Sequence, residues 1–364
     1  MTVSTKQTES AGGAGPASRA GTVLAIDGGN SKTDVLLVDD EGKVLASARS
    51  GGFTPQSSGV DAAIAVAARA VAEIRAKLGL DLPEQSAANA DSVRPGRALD
   101  SADGSGVSLG AAAPLARHLA AYVAGADLPV EEEALAVAFA AQGWADTVEV
   151  GNDTFALLRA GATRPWGVAV VCGAGVNCAG IGPDGTRARF PALGRISGDW
   201  GGGHHLGEEA LWHAIRGEDG RGPRTLLTEA VAGHFARRSV EAVSLALHFG
   251  ELEGDRLNEL APVLLAAAGQ GDPVALGVTD RMAEEIVTLA RVVLVRLGIA
   301  DRAAEVVLGG GVLRARVPVL MDRIAARAAA EIPLAELVVV EEPPVVGAAL
   351  LGLETLGLTG AVRF

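Results

Sequence analysis

The residues best suited to chemistry lie near the start of the chain, in the segment Asp27-Gly28-Gly29-Asn30-Ser31-Lys32-Thr33. Two glycines after an acidic residue let backbone N–H groups approach phosphate oxygens, and the carboxylate of Asp27 can hold a hydrated Mg²⁺. Apolar runs at 23–26 and 35–38 flank the segment, which predicts a β-hairpin with these residues at its turn. Alone, the pattern also fits an ordinary hairpin with a glycine turn.

Two further glycine-rich turns support phosphate binding. Gly173, Ala174 and Gly175 join two apolar runs and predict a second hairpin that presents backbone donors to phosphate. Gly309-Gly310-Gly311 leads from an apolar strand into a helix, and such a turn admits the adenosine or the α-phosphate of a nucleotide. This third turn lacks the GxGxxG spacing of a dinucleotide fold, and no segment matches a P-loop.

Candidate residues for a second substrate lie between these turns. Asn152 and Asp153 precede a helical pattern, so Asp153 either caps a helix or accepts the proton of a sugar hydroxyl that attacks phosphorus. Asn177 follows the second glycine turn. In the loop Ser197–Glu209, a carboxylate beside an aromatic ring suits sugar recognition, although the ring could equally anchor the loop. The substrate-binding candidates are Asn152, Asp153, Asn177, Asp199, Trp200, Gly201 and Gly202.

The elements that must position these residues form an α/β chain that is too long, at 364 residues, for one typical core. We predict an N-terminal lobe over 21–150 and a C-terminal lobe over 151–342. Residues 343–364 are predicted to form a helix that lies at the hinge or returns to the N-terminal lobe. Residues 1–20 read as a disordered tail and 80–112, rich in Ser, Asp, Gly and Pro, as a disordered insert.

Composition excludes several classes of partner. A formal net charge of −13 argues against nucleic acid and against an anionic membrane. The only uncharged stretch of about 18 residues, Pro165–Pro183, is interrupted by glycines and Asn177, so no membrane span is predicted. Two cysteines, Cys172 and Cys178, are too few for a disulfide scaffold. Without a secretory signal, these features favour the cytoplasm. A homodimer is compatible with the sequence.

Together these segments resemble the BadF/BadG/BcrA/BcrD ATPase family, within the sugar kinase/Hsp70/actin superfamily, and its N-acetylglucosamine kinase-like branch. The resemblance covers nearly all of residues 22–357. The matching motifs are two phosphate segments (Asp27–Thr33 and Cys172–Cys178), two connecting helices (Gly151–Gly161 and Val346–Ala349) and an adenosine segment (Leu308–Gly311). Ser197–Gly207 is similar to the Trp-Gly-rich loop of the kinase branch.

The resemblance implies a two-lobed, ribonuclease H-like fold of the actin/hexokinase type, with ATP, Mg²⁺ and an amino sugar in the cleft. It further implies phosphoryl transfer to a 6-hydroxyl, most simply that of N-acetylglucosamine, with Asp153 as base and Asp27 as metal organiser through water. One departure is the segment Gly51–Ser58, which lacks the family's sugar-contacting asparagine. Thr54 or Gln56 could replace it, and glucosamine, another N-acyl hexosamine or a muramic-type sugar stay open.

The alternative function comes from the same family: an ATPase that activates a partner enzyme through a shared iron–sulfur cluster. In such relatives each of two subunits donates two separated cysteines. Here Cys172 and Cys178 flank one phosphate hairpin, which argues against a cluster. A sugar-sensing regulator is a third reading, but no basic helix-turn-helix segment precedes the first strand.

Overall fold

The computed structural model describes residues 21–80 and 113–364, which contain two five-stranded mixed sheets. The predicted tail lies outside the described residues, as does the predicted insert apart from Leu80. The first sheet has the order β3-β2-β1-β4-β5. Its strands are β1 (Val23–Gly28), β2 (Thr33–Val38), β3 (Val44–Ser50), β4 (Ala116–Val123) and β5 (Ala145–Asn152).

Alternating apolar residues let the first sheet bury both of its faces. Leu24 and Ile26 point to one face and pack with the helices after β3 and β4, whereas Val23 and Ala25 point to the other and pack with the last helix of the chain. β1 pairs antiparallel with β2 and parallel with β4, and β4 pairs parallel with β5. The carboxyl ends of β1, β4 and β5 therefore meet at one edge.

The second sheet has the order β10-β9-β6-β7-β8. Its strands are β6 (Gly167–Cys172), β7 (Val176–Ile181), β8 (Arg187–Arg189), β9 (Ala304–Gly309) and β10 (Ala335–Val339). β6 pairs antiparallel with β7 and parallel with β9. Val168 and Val170 join a large helical core on one face, and Ala169 joins a smaller core on the other.

Twelve α-helices lie in the described part of the chain. They are α1 (Pro55–Ser58), α2 (Val60–Lys77), α3 (Pro129–Ala140), α4 (Asp153–Gly161), α5 (Gly202–Asp219), α6 (Leu227–His234), α7 (Val240–His248), α8 (Leu260–Gly269), α9 (Pro273–Arg296), α10 (Gly311–Arg314), α11 (Pro318–Glu331) and α12 (Pro344–Thr355). Two 3₁₀ turns lie at Gly194–Ser197 and Gly254–Glu259. Glu73 and Lys77, four positions apart on α2, form an ion pair with an N–O distance of 2.7 Å.

Helices α4 and α12 cross closely between the two sheets. A Cβ atom on Gly347 would lie 1.9 Å from the backbone oxygen of Ala156, so the crossing admits only glycine there. The small side chains of Ala348 and Ala349, both fully buried, permit the same close approach. Beyond α12 the chain reaches the first sheet, where the Val44 N–H donates to the carbonyl of Arg363.

Helix length bears on the question of membrane insertion. Across residues 21–80 and 113–364, no single helix is long and apolar enough to cross a membrane. One pair, Gly254–Gly269 with Pro273–Arg296, passes that test jointly and is bent by 113° at its break.

Candidate active site

A cleft of about 650 Å³ lies between the two sheets. Its walls come from both lobes and contain, among the predicted site residues, Gly29, Asn30, Ser31, Lys32, Asp153, Gly173, Ala174, Gly175 and Asn177. Residues more than 140 positions apart in sequence thus face one space. The sheet edge explains the convergence, because parallel strands deliver their carboxyl ends to the same side and ligands bind there.

The first hairpin is held in shape by its neighbours. The Gly29 N–H donates to the carbonyl of Lys32, and the Phe53 N–H donates to the carbonyl of Gly29, both at 2.9 Å. A Cβ atom on Gly52 would lie 2.1 Å from the backbone oxygen of Asn30, so the segment after β3 presses directly on the turn. The turn is a rigid cradle rather than a loose loop.

Three residues of the first predicted segment lie behind the cradle and not in its lining. Thr33 is fully buried, and its hydroxyl donates to the carbonyl of Gly51. Gly28 packs against Phe53, whose ring leaves no room for a Cβ. The buried carboxyl of Asp27 is also set back from the cleft surface. The prediction that Gly28 and Thr33 touch phosphate therefore finds no support in this conformation, because packing occupies both.

Lys32 is the cation of the first hairpin. Its ammonium contacts the carboxylate of Asp34, which also accepts a hydrogen bond from the Arg49 Nε at 2.5 Å. Burial acts to raise the pKa of Asp34, but the hydrogen bonds from Arg49 and Lys32 outweigh it and hold that pKa below its usual value. Asp34 is thus an anion that fixes Lys32 at the cleft.

The second hairpin is made of bare backbone. The N-terminus of α5 supports it, since the Gly203 N–H donates to the carbonyl of Gly173 at 2.7 Å and the His204 N–H donates to that of Ala174 at 3.0 Å. Gly202 has a φ of 84°, and a Cβ there would lie 2.5 Å from the Ala174 oxygen. Gly202 therefore packs on the second hairpin and is not among the residues that line the cleft, so its contact with sugar stays a prediction.

Three carboxyl groups gather behind and within the cleft. Burial raises the pKa of Asp153 to about 6. Burial and then the charge of Asp153 raise the pKa of Asp127 to about 7, and the same two causes raise that of Asp27 to about 8. Asp153 is therefore the first of the three to lose its proton as pH rises, and it is the carboxylate best able to act as a base near neutral pH.

Asn152 links the carboxyl group of Asp127 to the N-terminus of α4. Its Oδ1 accepts the Thr154 N–H at 3.0 Å, so Asn152 caps α4 and the alternative in which Asp153 is the cap is wrong. Its Nδ2 donates to Asp127 at 2.7 Å, and the Nδ2 of Asn177 donates to its Oδ1 at 3.2 Å. Asn152 is itself buried, so it orients the cleft residues instead of lining the cleft.

Asp127 also lines the cleft, although it was not among the predicted site residues, and so does Gln56, which the sequence offered only as a possible replacement for the missing asparagine. Asp127 follows β4 by four positions, and the pairing of Val123 with both Gly28 and Asn152 brings it beside the other two carboxyl groups. Asp127 follows an apolar strand and lies two positions after Gly125. This is close to the pattern that identified Asp27, so part of that signal was present in the sequence.

A second cavity of about 460 Å³ adjoins the first. The two share Ser31, Gly173 and Ala174, and apolar residues such as Leu265 and Val312 line the second. Its residues are Ser31, Gly173, Ala174, Gly203, Asn258, Ala261, Pro262, Leu265, Gly311, Val312, Ala315 and Val317. An apolar cavity that adjoins two phosphate cradles has the form that a nucleoside requires.

The three glycines of 309–311 have different tasks. Gly311 lines the second cavity. A Cβ on Gly309 would lie 2.5 Å from the side chain of Leu157, and Gly310 has a φ of 83° with the backbone of Cys172 2.4 Å from its would-be Cβ. Gly309 and Gly310 therefore serve close packing, and because neither is among the residues that line the second cavity, their contact with nucleotide stays a prediction.

Trp200 lies in the core of the second lobe and not in the cleft. The guanidinium of Arg281 sits 4.0 Å above its ring, and His205 stacks at 6.2 Å. Asp199 accepts hydrogen bonds from the Gly194 N–H and the Ser197 hydroxyl, and Gly201 packs on the side chain of Met282. None of these three residues lines the cleft, so the prediction that they bind sugar gains no support from its lining, and the burial of Trp200 agrees with the alternative that its ring anchors the loop.

Three aliphatic residues line the cleft, whereas Trp200, which was predicted to bind sugar there, does not. Ala192, Leu193 and Ile196 line the cleft from the loop between β8 and α5. Sequence reasoning did not single them out, because isolated aliphatic residues in a loop carry no recognisable pattern.

Known proteins resemble this chain in sequence and in fold. The sequence pattern of the BadF/BadG/BcrA/BcrD ATPase family matches residues 24–352. The N-acetylmuramic acid/N-acetylglucosamine kinase of Clostridium acetobutylicum is 25% identical over 291 residues, covering 80% of this chain and 85% of its own. The N-acetyl-D-glucosamine kinase of Dictyostelium discoideum is 23% identical over 338 residues, covering 91% and 98%.

A solved structure supports the predicted fold. A protein of Chromobacterium violaceum, provisionally assigned as an N-acetylglucosamine kinase, superposes with a TM-score of 0.65 at 20% identity, covering 91% of this chain and 98% of its own. The predicted two-lobed fold of the actin/hexokinase type is confirmed.

Proposed function

The chain belongs to the BadF/BadG/BcrA/BcrD ATPase family, and from that premise we propose that it is an ATP-dependent kinase that phosphorylates the 6-hydroxyl of an amino sugar. The first candidate for this sugar is N-acetylglucosamine. The observation that carries the proposal is the shared cleft. Two phosphate hairpins, an apolar cavity beside them and the carboxylate of Asp153 face one continuous space. The names of the relatives supply the class of sugar.

ATP would occupy the second cavity with its base and ribose and cross to the first through Ser31, Gly173 and Ala174, which both cavities share. Its terminal phosphates would then lie between the two hairpins. Lys32 supplies positive charge on one side, and backbone N–H groups supply neutral donors on the other. Catalysis of phosphoryl transfer consists mainly of such positioning and charge stabilisation.

Asp153 would remove the proton of the attacking hydroxyl. Its pKa of about 6 makes it ionised at neutral pH and keeps it basic enough to accept a proton. Asp127, Asn177 and Gln56 lie on the remaining cleft surface and are the residues that we propose to contact the sugar. The Gly51–Ser58 segment has no asparagine, and Gln56 would supply the side-chain amide in its place.

Mg²⁺ is the metal that we propose to accompany ATP. The donor chemistry fits, because Asp27 is a buried carboxyl whose charge is unfavourable beside Asp153 and Asp34, and a divalent cation offsets that repulsion. Mg²⁺ usually keeps several waters and binds through one or two carboxylates and substrate phosphates, so Asp27 would hold it through water. The bound ion would neutralise charge on the phosphates.

The alternative, an ATPase that activates a partner through an iron–sulfur cluster, is less compatible with the cysteines. Both thiols are buried. Burial raises the pKa of Cys172 to about 12 and also raises the pKa of Cys178, so neither is a ready thiolate ligand. A colourless, iron-free purified protein would remove this alternative.

The proposal is tested by measuring ADP release with a panel of hexoses, hexosamines and N-acetylhexosamines. We expect sugar-dependent release that is fastest with an N-acetylhexosamine. ADP release without dependence on any sugar would favour the ATPase alternative. No turnover with any member of the panel would overturn the kinase proposal.

A further inference from the structure

The short edge strand β8 carries two arginines that reach the N-terminal lobe. Its sequence is Arg187-Ala188-Arg189, and successive side chains of a strand point to opposite faces. Ala188 packs on the core of its own lobe, whereas both arginines contact carboxylates of the other lobe. We call Arg187 and Arg189, with their partners Glu149 and Glu132, the β8 clasp.

Arg189 makes the closer of the two contacts. Its Nη1 donates to Glu132 of α3 at 2.6 Å, and its Nη2 donates to the other oxygen of that carboxylate at 3.4 Å. The side chain of Arg189 is 23% exposed and that of Glu132 is 26% exposed, so water and salt screen this pair less than a pair on the open surface. Arg296 of α9 donates to the carbonyl of Arg189 at 3.2 Å, which ties β8 to its own lobe.

Arg187 makes the second contact between the lobes. Its Nη2 lies 3.8 Å from the carboxylate of Glu149 on β5, and its guanidinium lies 5.0 Å from the centre of the Phe155 ring on α4. The same carboxylate accepts hydrogen bonds from the Tyr122 hydroxyl at 2.9 Å and from the Thr355 hydroxyl at 2.8 Å. Arg187 therefore meets a carboxylate that β4 and α12 already hold in place.

Arg189 also holds the loop that carries a residue of the cleft. Its Nη1 donates to the carbonyl of Ala126 at 3.4 Å, and the next residue, Asp127, lines the cleft. The Asp127 N–H donates to Glu131 at 3.0 Å, and Glu131 precedes Glu132 in the first turn of α3. One guanidinium from the C-terminal lobe thus contacts both the loop after β4 and the helix that follows it.

The charge of Arg189 acts on Asp127 as well. The pKa of Asp127 is raised to about 7, by burial first and then by the charges of Asp153 and Glu131. The guanidinium of Arg189 and the hydrogen bond from Asn152 act in the opposite direction. Removal of the guanidinium should therefore move the pKa of Asp127 further upward.

We propose that Arg189 is a positioning residue, which the C-terminal lobe supplies to hold Asp127 of the N-terminal lobe at the sugar. The sugar side of the cleft is then complete only while the β8 clasp joins the two lobes. The inference rests on the proposed function, in which Asp127 contacts the sugar. Arg189 itself is not among the residues that line the cleft, so it acts through Asp127.

The test compares three variants. Arg189→Met should raise KM for N-acetylglucosamine by about tenfold, the loss expected for one charged hydrogen bond, and leave KM for ATP near wild type. The acid limb of kcat/KM for the sugar should move to higher pH. Glu132→Gln keeps the guanidinium, so it should raise the same KM with a smaller shift of the pH profile. Arg159→Met is the matched control, because Arg159 forms a 2.7 Å ion pair with Glu354 outside the cleft lining.

Hydrogen exchange gives a readout that needs no substrate. The amides of Asp127 and Leu128, which both donate to Glu131, should exchange faster in Arg189→Met than in wild type or in Arg159→Met. A wild-type KM for the sugar in Arg189→Met would overturn the positioning role, and so would equal losses for the sugar and for ATP. If wild type phosphorylates no sugar, the proposed function fails, and unchanged exchange in Arg189→Met would separately show that the clasp does not hold the loop.

Discussion

The N-terminal wall of the cleft carries Lys32 and Asp127, whereas the C-terminal wall presents Gly173–Gly175, Asn177 and the aliphatic side chains of Ala192, Leu193 and Ile196. Among the described lining residues, the second wall has no ionisable side chain, and Asp153 lies where the walls meet. The first hairpin is stabilised by charges such as Asp34, and the second by hydrogen bonds from the N-terminus of α5.

This difference separates two tasks. Charged groups on the N-terminal wall and at the junction suit the transfer of a proton and of a phosphoryl group. Their electrostatic interaction with the reacting groups changes as charge develops in the transition state. Neutral donors and apolar side chains on the C-terminal wall suit binding and selection. Substitutions on the first wall should therefore act on kcat and on pH dependence, and substitutions on the second should act on KM.

The largest effect is expected at the junction of the walls. Asp153→Asn should lower kcat by about 10²–10⁴-fold, since it removes the proposed base, and should leave the Kd for ATP near wild type. Steady-state kinetics and calorimetric ATP titration measure the two quantities. Asp322→Asn, an exposed position on α11, is the control. Unchanged kcat in Asp153→Asn would remove this residue from the mechanism.

The next effect should appear on the charged wall. Lys32→Met removes a charged contact to phosphate, which corresponds to a loss of about 10–100-fold in kcat/KM for ATP. Arg49→Met, which leaves Lys32 in place and removes the outer partner of Asp34, should have a much smaller effect. Equal losses in both variants would mean that the ion-pair network, and not the Lys32 ammonium itself, matters to ATP.

The neutral wall offers a test that separates binding from folding. A Cβ added to Gly175 meets no atom within 4 Å, so Gly175→Ala should leave the melting temperature nearly unchanged. The same methyl group would enter the space proposed for phosphate and should raise KM for ATP by about tenfold. Gly202→Ala is the contrast, because its Cβ collides with backbone and should lower stability. An unchanged KM in Gly175→Ala would contradict phosphate binding at the second hairpin.

The last prediction concerns stability and not catalysis, and it rests on Asp27, a buried carboxyl group set back from the charged wall. The raised pKa of Asp27 means that the folded protein holds a proton, between pH 3.8 and about 8, that the unfolded chain has lost. The free energy of unfolding should therefore fall as pH rises through this window, by at most about 1.4 kcal/mol per pH unit from this group. Denaturant unfolding in the presence of EDTA at several pH values measures this dependence. The free energy of unfolding should change less steeply with pH in Asp27→Asn than in wild type. Equal slopes would refute the assignment.

The sequence predicted the two hairpins well, and the reason is local. β1, β2, β6 and β7 are apolar runs separated by glycine turns, so their strands and turns depend on neighbouring residues alone. The second connecting helix was also identified from a local feature, the run of small residues Gly347, Ala348 and Ala349.

Long-range packing explains what the sequence did not reveal. Trp200 is buried because α9 places Arg281 and Met282 beside it, some eighty residues later in the chain. Asp127 reaches the site through parallel pairing of β4 with β1 and β5, and strand order is not a local property. The loop that carries Ala192, Leu193 and Ile196 is held at the cleft by the hydrogen bonds that Gly194 and Ser197 donate to the carboxylate of Asp199.

The most direct test of the account is the chemical identity of the product formed from ATP and N-acetylglucosamine. Phosphorus NMR of the reaction mixture should show a sugar phosphate monoester at the 6-position, formed in equal amount with ADP by wild type and at a strongly reduced rate by Asp153→Asn. Free inorganic phosphate in place of a sugar phosphate, or a phosphate at another hydroxyl, would contradict it.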